Sequence, residues 1–153
     1  MDDGDGTVPQ KVNRMARANQ DTDCYVYAAN DITFDPWCVY RAVWASKDHG
    51  LVAFNEGPVL PDAGNICTHF LITQELVNKL GEIFSEKFAH CGCDNLLWAK
   101  AKKMGRAARC EDAKITHYHF SKGSPMDSIY QAGWSHVEED RKTLAAELEA
   151  LKS

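Results

Sequence analysis

The chain has 153 residues, the length of one domain that can bury a sizeable hydrophobic core. Its content of 44% hydrophobic and 25% charged residues is ordinary for a globular protein and excludes a disordered or fibrous chain. The net charge of −5 argues against nucleic acid as a partner, because electrostatic binding to phosphates requires clustered Lys and Arg.

The N-terminal part predicts a helix, a strand and a second helix. Thr7 and Gln10 match a capping box and predict a helix of about three turns. Residues 24–29, with the sequence CYVYAA, are typical of a strand buried on both faces of a largely parallel sheet. The second helix is predicted to begin at Asp35 and Pro36. Its aromatic stripe, which we expect to face the core, consists of Trp37, Tyr40 and Trp44.

Strands and helices alternate in the rest of the chain. The predicted elements are strands at residues 51–54 and 67–72, helices from Thr73 to Gly81 and from Asp94 to Gly105, a strand at residues 113–120 and an amphipathic C-terminal helix at residues 134–152. The loop between the first two of these strands is rich in Gly, Pro, Asp and Asn, and we expect it near the active site. The pattern predicts one α/β domain over residues 1–153, with a mixed, mostly parallel sheet flanked by helices.

Polar residues stand at or near the ends of two predicted strands, where α/β folds usually build sites. Asn30 and Asp31 follow the first strand, and their oxygens are suitable ligands for Mg²⁺ or Mn²⁺ on a diphosphate. A simple turn is the alternative role for Asp31. His117 and His119 alternate onto one face of the last strand, where they would complete a metal site. A single histidine there is more often a hydrogen-bonded surface residue.

Asp94 stands at the predicted start of a helix. The positive end of a helix stabilises a carboxylate, which would accept a proton from a hydroxyl group as a general base. Capping the helix is the more frequent role for Asp at such a position, and the two roles are compatible.

The six cysteines allow a different metal site. Cys91, Cys93 and Cys110, together with His117 and His119, would hold a structural zinc ion. Their spacing departs from the paired knuckles of such sites, so free thiols are the favoured interpretation.

Several short motifs occur in a characteristic order. Lys11-Val12-Asn13, the strand CYVYAA and Asn30-Asp31 are followed by FSEKF at residues 84–88, then by Asp94 and by ITHYH at residues 115–119. This order, over roughly residues 5–119, resembles family 2 glycosyltransferases of the GT-A fold, with their acidic metal motif, catalytic-base segment and histidine strand. The family's first strand, helix and strand, which bind the nucleotide base, have no counterpart before the MDDGDG opening. We therefore expect a truncated, partial GT-A fold that corresponds to its C-terminal two-thirds.

The resemblance implies an inverting transfer of a sugar from a nucleoside diphosphate sugar to a hydroxyl acceptor. It implies that Asp94 is the catalytic base. It also implies a Mn²⁺ or Mg²⁺ ion held by Asp31 with His117 or His119. The family often has two carboxylates in this motif and this chain has one, so either its metal dependence is weaker or Asn30 substitutes as a neutral oxygen ligand.

Two alternatives from other classes stay open. One is a catalytically inactive binding or assembly module derived from the same fold, and the other is the structural zinc protein. A homo-oligomer is compatible with each of them. The sequence contains no apolar run of transmembrane length and no leader-like opening, so we expect a cytoplasmic protein.

Overall fold

The computed structural model describes residues 6–57, 66–118, 131 and 135–152. Its helices are α1 (Val8–Ala18), α2 (Cys38–Ala45), α3 (Gln74–Leu80), α4 (Cys93–Lys103) and α5 (Val137–Ala150). Its strands are β1 (Cys24–Tyr27), β2 (Ile32–Phe34), β3 (Leu51–Asn55), β4 (Phe70–Thr73) and β5 (Ala107–His117). None of the described helices is long and apolar enough to cross a membrane.

The strands form one mixed sheet in the order β1-β4-β3-β5-β2. Only β3 and β5 pair in parallel, whereas the other three pairings are antiparallel. The α/β class is therefore confirmed, but the expectation of a mostly parallel sheet is wrong. The reason is that β4 follows β3 in the reverse direction and inserts between it and β1.

Helices cover both faces of this sheet. The larger core lies on the face covered by α1, α3, α4 and α5, and it contains Leu51 and Phe70. The smaller core lies under α2 and contains the alternate strand residues Val52 and Leu71. All four of these strand side chains are fully buried.

The first strand lies at the edge of the sheet. It pairs on one side only, with β4, and its four residues are half-buried or exposed. The expectation that residues 24–29 are buried on both faces is therefore wrong. An uncharged run of strand-forming residues also suits an edge strand when helices cover part of it. Here Tyr25 and Tyr27 pack against the larger core.

Helix α2 packs through small residues. Cys38 and Ala42, four residues apart, are buried against the sheet. The expectation that the aromatic stripe faces the core is wrong, because Trp37, Tyr40 and Trp44 are 72%, 61% and 62% exposed. Small side chains allow the helix backbone to approach the strands closely, and this places the large aromatic rings on the opposite face.

Several predicted element ends agree with the structure. Thr7 and Gln10 form the capping box of α1, and Gly81 ends α3 in a left-handed conformation with φ +82°. The C-terminal helix is confirmed from Val137 onward, and residue 134 lies outside the described residues. Its apolar side chains Leu144, Leu148 and Leu151 pack against the larger core.

A buried asparagine joins α1 to the segment before α4. Asn13 is 2% exposed, and its side chain donates to the Phe84 carbonyl at 2.7 Å and to Glu86 Oε1 at 3.0 Å. Its Oδ1 accepts the backbone N–H groups of Ile83 and Phe84 at 3.0 and 3.1 Å. Three of these four bonds satisfy backbone groups of residues 83 and 84, which lie outside the helices and strands.

We expect Asn13→Ala to lower the free energy of unfolding by about 3 kcal/mol, because it leaves two buried N–H groups and one carbonyl without partners. Met15→Ala, on the exposed side of the same helix, is the control and should change it by less than about 0.5 kcal/mol. Urea denaturation measures both variants, and equal effects would refute the buried role of Asn13.

Candidate metal centre

The directions of the strands bring four ionisable residues to the same end of the sheet. Because β1, β3 and β5 run in the same direction, Asp31 after β1, Glu56 after β3 and His117 at the end of β5 lie at this end, which we call the cleft edge. Strand β4 runs in the opposite direction, so its beginning, preceded by His69, lies there too. Sequence analysis proposed Asp31 and His117 for this region but missed His69 and Glu56.

Asp31, His69 and His117 form a compact group. One potential ligand atom from each residue lies within 4.8 Å of the others, and within the described ranges this is the one group of such side chains close enough to share a metal ion. His117 Nε2 is 3.3 Å from Asp31 Oδ2. The two imidazole rings meet edge to face, with their centroids 4.5 Å apart.

Glu56 connects the two histidines. Its Oε1 lies 3.1 Å from His69 Nδ1, and its Oε2 lies 2.8 Å from His117 Nδ1. The side chains of all three residues are at most 7% exposed. Both Nδ1 atoms therefore contact the same carboxylate.

This arrangement fits a divalent metal ion. Histidines that bind metals usually donate their second ring N–H to a carboxylate or carbonyl, which fixes the orientation of the ring. Glu56 supplies that acceptor to both rings, and Asp31 adds an oxygen ligand. Burial alone would raise the pKa of Glu56, but the hydrogen bonds from His117 and His69 outweigh it and lower the pKa well below its usual range. Glu56 is therefore an ionised acceptor.

Backbone pairing fixes Asp31 beside His117. Ile32 pairs with His117 across β2 and β5, and the Tyr118 N–H donates to the Asp31 carbonyl at 2.8 Å. Asn30 is exposed and lines the same cleft, but it is not a member of the compact group. The proposed ligand His119 lies outside the described residues.

Asp31, His69 and His117 line a cleft that also contains Asp94. The cleft has a volume of about 390 Å³, and the polar residues along its wall include Asn30, Asp31, His69, His90, Asp94, Asn95 and His117. A cavity of this size is in the range of small-molecule sites. The structure thus brings together three residues that sequence analysis had connected only through a resemblance, namely Asp31, Asp94 and His117.

Asp94 lies in the first turn of α4, after the residue that caps this helix. The cap residue is Gly92, with φ +86°, and the helix begins at Cys93, so the expectation that Asp94 caps the helix is wrong. A side chain at Gly92 would be strained by this φ and would crowd Phe88 and Leu144 at 3.3 and 3.4 Å. The carboxylate of Asp94 accepts the Asn95 N–H at 3.0 Å.

The environment of Asp94 raises the pKa of its carboxyl group. Burial raises the pKa of this carboxyl group and outweighs the opposing effects of backbone N–H groups and of the nearby His69 and His90. A carboxylate with a raised pKa is a stronger base than one in water.

The loop before Asp94 is held by the C-terminal helix. Asp140 of α5 is 2% exposed and accepts three backbone N–H groups, from Ala89, His90 and Cys91, at 2.8 to 2.9 Å. Sequence analysis did not identify Asp140, because nothing local distinguishes it from the other acidic residues in the first turn of α5.

Among the described residues, the cysteines do not form the proposed zinc site. Cys93 belongs to the larger core, whereas Cys110 packs on the smaller core under α2, on the opposite face of the sheet. No group of these cysteines with a histidine is close enough to share an ion within the described residues. The alternation of β5 and the position of α4 separate the thiols.

Comparison with models of known protein families, with curated proteins and with solved structures finds no match. The residues of the cleft are therefore the basis for assigning a function.

We expect Asp140→Asn to accelerate amide hydrogen exchange at residues 89–91 and to lower the free energy of unfolding by about 2 kcal/mol, because an amide group replaces an acceptor of three N–H groups. Exchange followed by mass spectrometry and urea denaturation test this. Glu139→Gln, an exposed change on the same turn, should leave both values unchanged. Unaltered exchange in Asp140→Asn would show that Asp140 does not hold this loop.

Proposed function

We propose that this protein is a metal-assisted glycosyltransferase that moves a sugar from a nucleoside diphosphate sugar to a hydroxyl acceptor with inversion. The observation that carries the proposal is the shared cleft, in which a potential general base and a compact metal-ligating group face the same space. The order of motifs that resembles family 2 glycosyltransferases adds the reaction class.

The residues of the cleft divide into two roles. Asp31, His69 and His117 would hold a divalent ion, which supplies positive charge to a diphosphate leaving group. Asp94 accepts the proton of the attacking acceptor hydroxyl. Burial raises the pKa of Asp94 and thereby strengthens it as a base. Attack from the face opposite to the leaving diphosphate inverts the configuration of the sugar carbon.

We expect Asp94→Asn to reduce transfer by about 10²- to 10⁴-fold, the usual contribution of a general base. Release of nucleoside diphosphate from a panel of nucleotide sugars and hydroxyl acceptors, with Mn²⁺ or Mg²⁺ present, measures the rate. Asp48→Asn, an exposed change of the same chemistry outside the cleft, is the control and should keep full activity. Turnover of Asp94→Asn at the original rate would remove Asp94 as the base.

The same substitution should not destabilise the fold at neutral pH. Since burial raises the folded-state pKa of Asp94 above its unfolded value, its favourable contribution is present at low pH and is lost as the pH rises through the folded-state pKa. Above that pH the buried charge costs free energy, which the neutral Asn avoids. We expect the Tm of Asp94→Asn to equal or exceed the original at pH 7, with the difference shrinking below about pH 4. A markedly lower Tm at pH 7 would contradict this reasoning.

Donor binding separates the enzyme from the inactive-module alternative. In the presence of Mn²⁺, a nucleoside diphosphate should raise the Tm in proportion to its occupancy, and Asp31→Asn should abolish this shift. Absence of a shift with uridine, guanosine, adenosine, cytidine and thymidine diphosphates would favour a module that does not bind nucleotide.

A further inference from the structure

We propose that helix α2 is the interface of a homodimer, in which the exposed aromatic residues of two copies of this chain pack antiparallel across a twofold axis. The inference goes beyond the proposed function and holds whether or not the protein transfers a sugar. The cleft is lined by Phe84 and Cys93 of the larger core, whereas α2 covers the smaller core on the other face of the sheet. Pairing through α2 therefore leaves the cleft open.

Exposed apolar side chains concentrate on and beside α2. Of the ten large hydrophobic residues that are exposed in the described part of the chain, six lie between residues 34 and 44. Trp37, Tyr40, Val43 and Trp44 lie on the side of the helix away from the sheet, and we call them the α2 patch. Apolar residues scattered singly over a surface are ordinary, but a contiguous group of this kind marks an interaction surface.

Trp37 contributes to the patch from an unusual backbone conformation. Its φ is +68°, the one positive value among the described residues other than glycine, and its side chain is 72% exposed. This conformation is strained for a bulky residue, and such strain clusters where the position of a side chain serves a function. Burial of the Trp37 ring against a second copy would offset the strain.

The composition of the patch favours a protein partner over a membrane surface. Residues 37–45 contain no acidic residue and one cation, Arg41, whose guanidinium donates to the Asp112 carbonyl at 2.7 Å. Trp and Tyr are enriched at the centre of protein interfaces, where charges are depleted. Binding to anionic lipid would require several Lys and Arg around the patch, whereas Asp35 and Asp48 flank it and the chain has a net charge of −5.

The area of the patch is sufficient for a weak dimer. A large aromatic side chain offers roughly 200 Å² for burial, so the three rings, at 61–72% exposure, present about 400 Å² on each copy. Phe34, Val39 and Val43 are each 38–41% exposed and bring the total for two copies near the roughly 1,000 Å² that a specific interface requires. We therefore expect a dissociation constant in the micromolar range.

The order of residues in α2 suits pairing of the helix with itself. In an antiparallel pair, Trp37 of one copy lies opposite Trp44 of the other, and Tyr40 lies near the axis. The same register brings Lys47, whose Nζ is 3.6 Å from the centre of the Trp44 ring, toward Asp35 of the second copy. Opposite charges thus meet at both ends of the patch.

Sedimentation velocity over a range of protein concentrations tests the interface. We expect a monomer–dimer equilibrium that Tyr40→Asp weakens at least about tenfold, because it removes a ring near the axis and places two carboxylates there. Met15→Asp, a matched change at a 68% exposed position of α1, should leave the equilibrium unchanged. Trp44→Ser provides the same test if Tyr40→Asp does not fold, as judged by circular dichroism. A chain that is monomeric at every concentration overturns the proposal, as does a dimer that both variants leave intact.

A charge exchange tests the antiparallel register. Asp35→Lys and Lys47→Glu should each weaken the dimer about two- to fivefold, the range for exposed ion pairs, because each puts like charges opposite one another. The double variant restores opposite charges and should recover the original affinity. A double variant as weak as the product of the two single changes would overturn antiparallel pairing.

Vesicles of phosphatidylcholine and phosphatidylglycerol test a membrane as the alternative occupant. We expect no co-sedimentation of the chain with these vesicles, and a dimer that persists or strengthens as added salt screens the repulsion between two copies of net charge −5. Vesicle binding by a monomeric chain that Tyr40→Asp abolishes would overturn the homodimer.

Discussion

The Glu56 carboxylate shared by two imidazoles is the interaction on which the cleft depends. Three ionisable side chains are buried together at the end of β3, the start of β4 and the end of β5. Burial of each polar group alone would cost free energy, so each requires the others as hydrogen-bond partners. The same network that joins three strands at this edge also orients both rings toward Asp31. The hydrogen bonds that stabilise this part of the fold are therefore the same ones that arrange the candidate site.

The two sides of the cleft are built differently. The side with Asp31, His69 and His117 belongs to the sheet, where backbone hydrogen bonds fix Asp31 beside His117. The side with Asp94 belongs to the helical layer, and its loop is held by Asp140, a residue about fifty positions away along the chain. Helix α5 is thus a structural part of the cleft, although the resemblance to glycosyltransferases ends before it.

Helix α2 illustrates how side-chain size can override periodicity. Its aromatic residues have the spacing of a buried stripe, yet Cys38 and Ala42 occupy the face that contacts the sheet. Either face satisfies a helical period, and the space available beside the strands decides between them. The exposed rings include Trp37, the one residue other than glycine with positive φ in the described part of the chain.

The sequence by itself determined the features that depend on neighbouring residues. The capping box of Thr7 and Gln10, the helix stop at Gly81 and the amphipathic C-terminal helix are local, and they were predicted correctly. Asp31, Asp94 and His117 were also named from the sequence, because their residue types and motif order carry the chemistry.

Only the tertiary structure decided which residues meet. The reversed direction of β4 brought His69 to the cleft, and the bond from Glu56 to His117 spans 61 positions. No local pattern encodes a contact of that separation, because it results from strand order and direction. The space beside the strands decided which face of α2 is buried. The hydrogen bonds of Asp140 depend likewise on N–H groups that a distant segment presents only after folding.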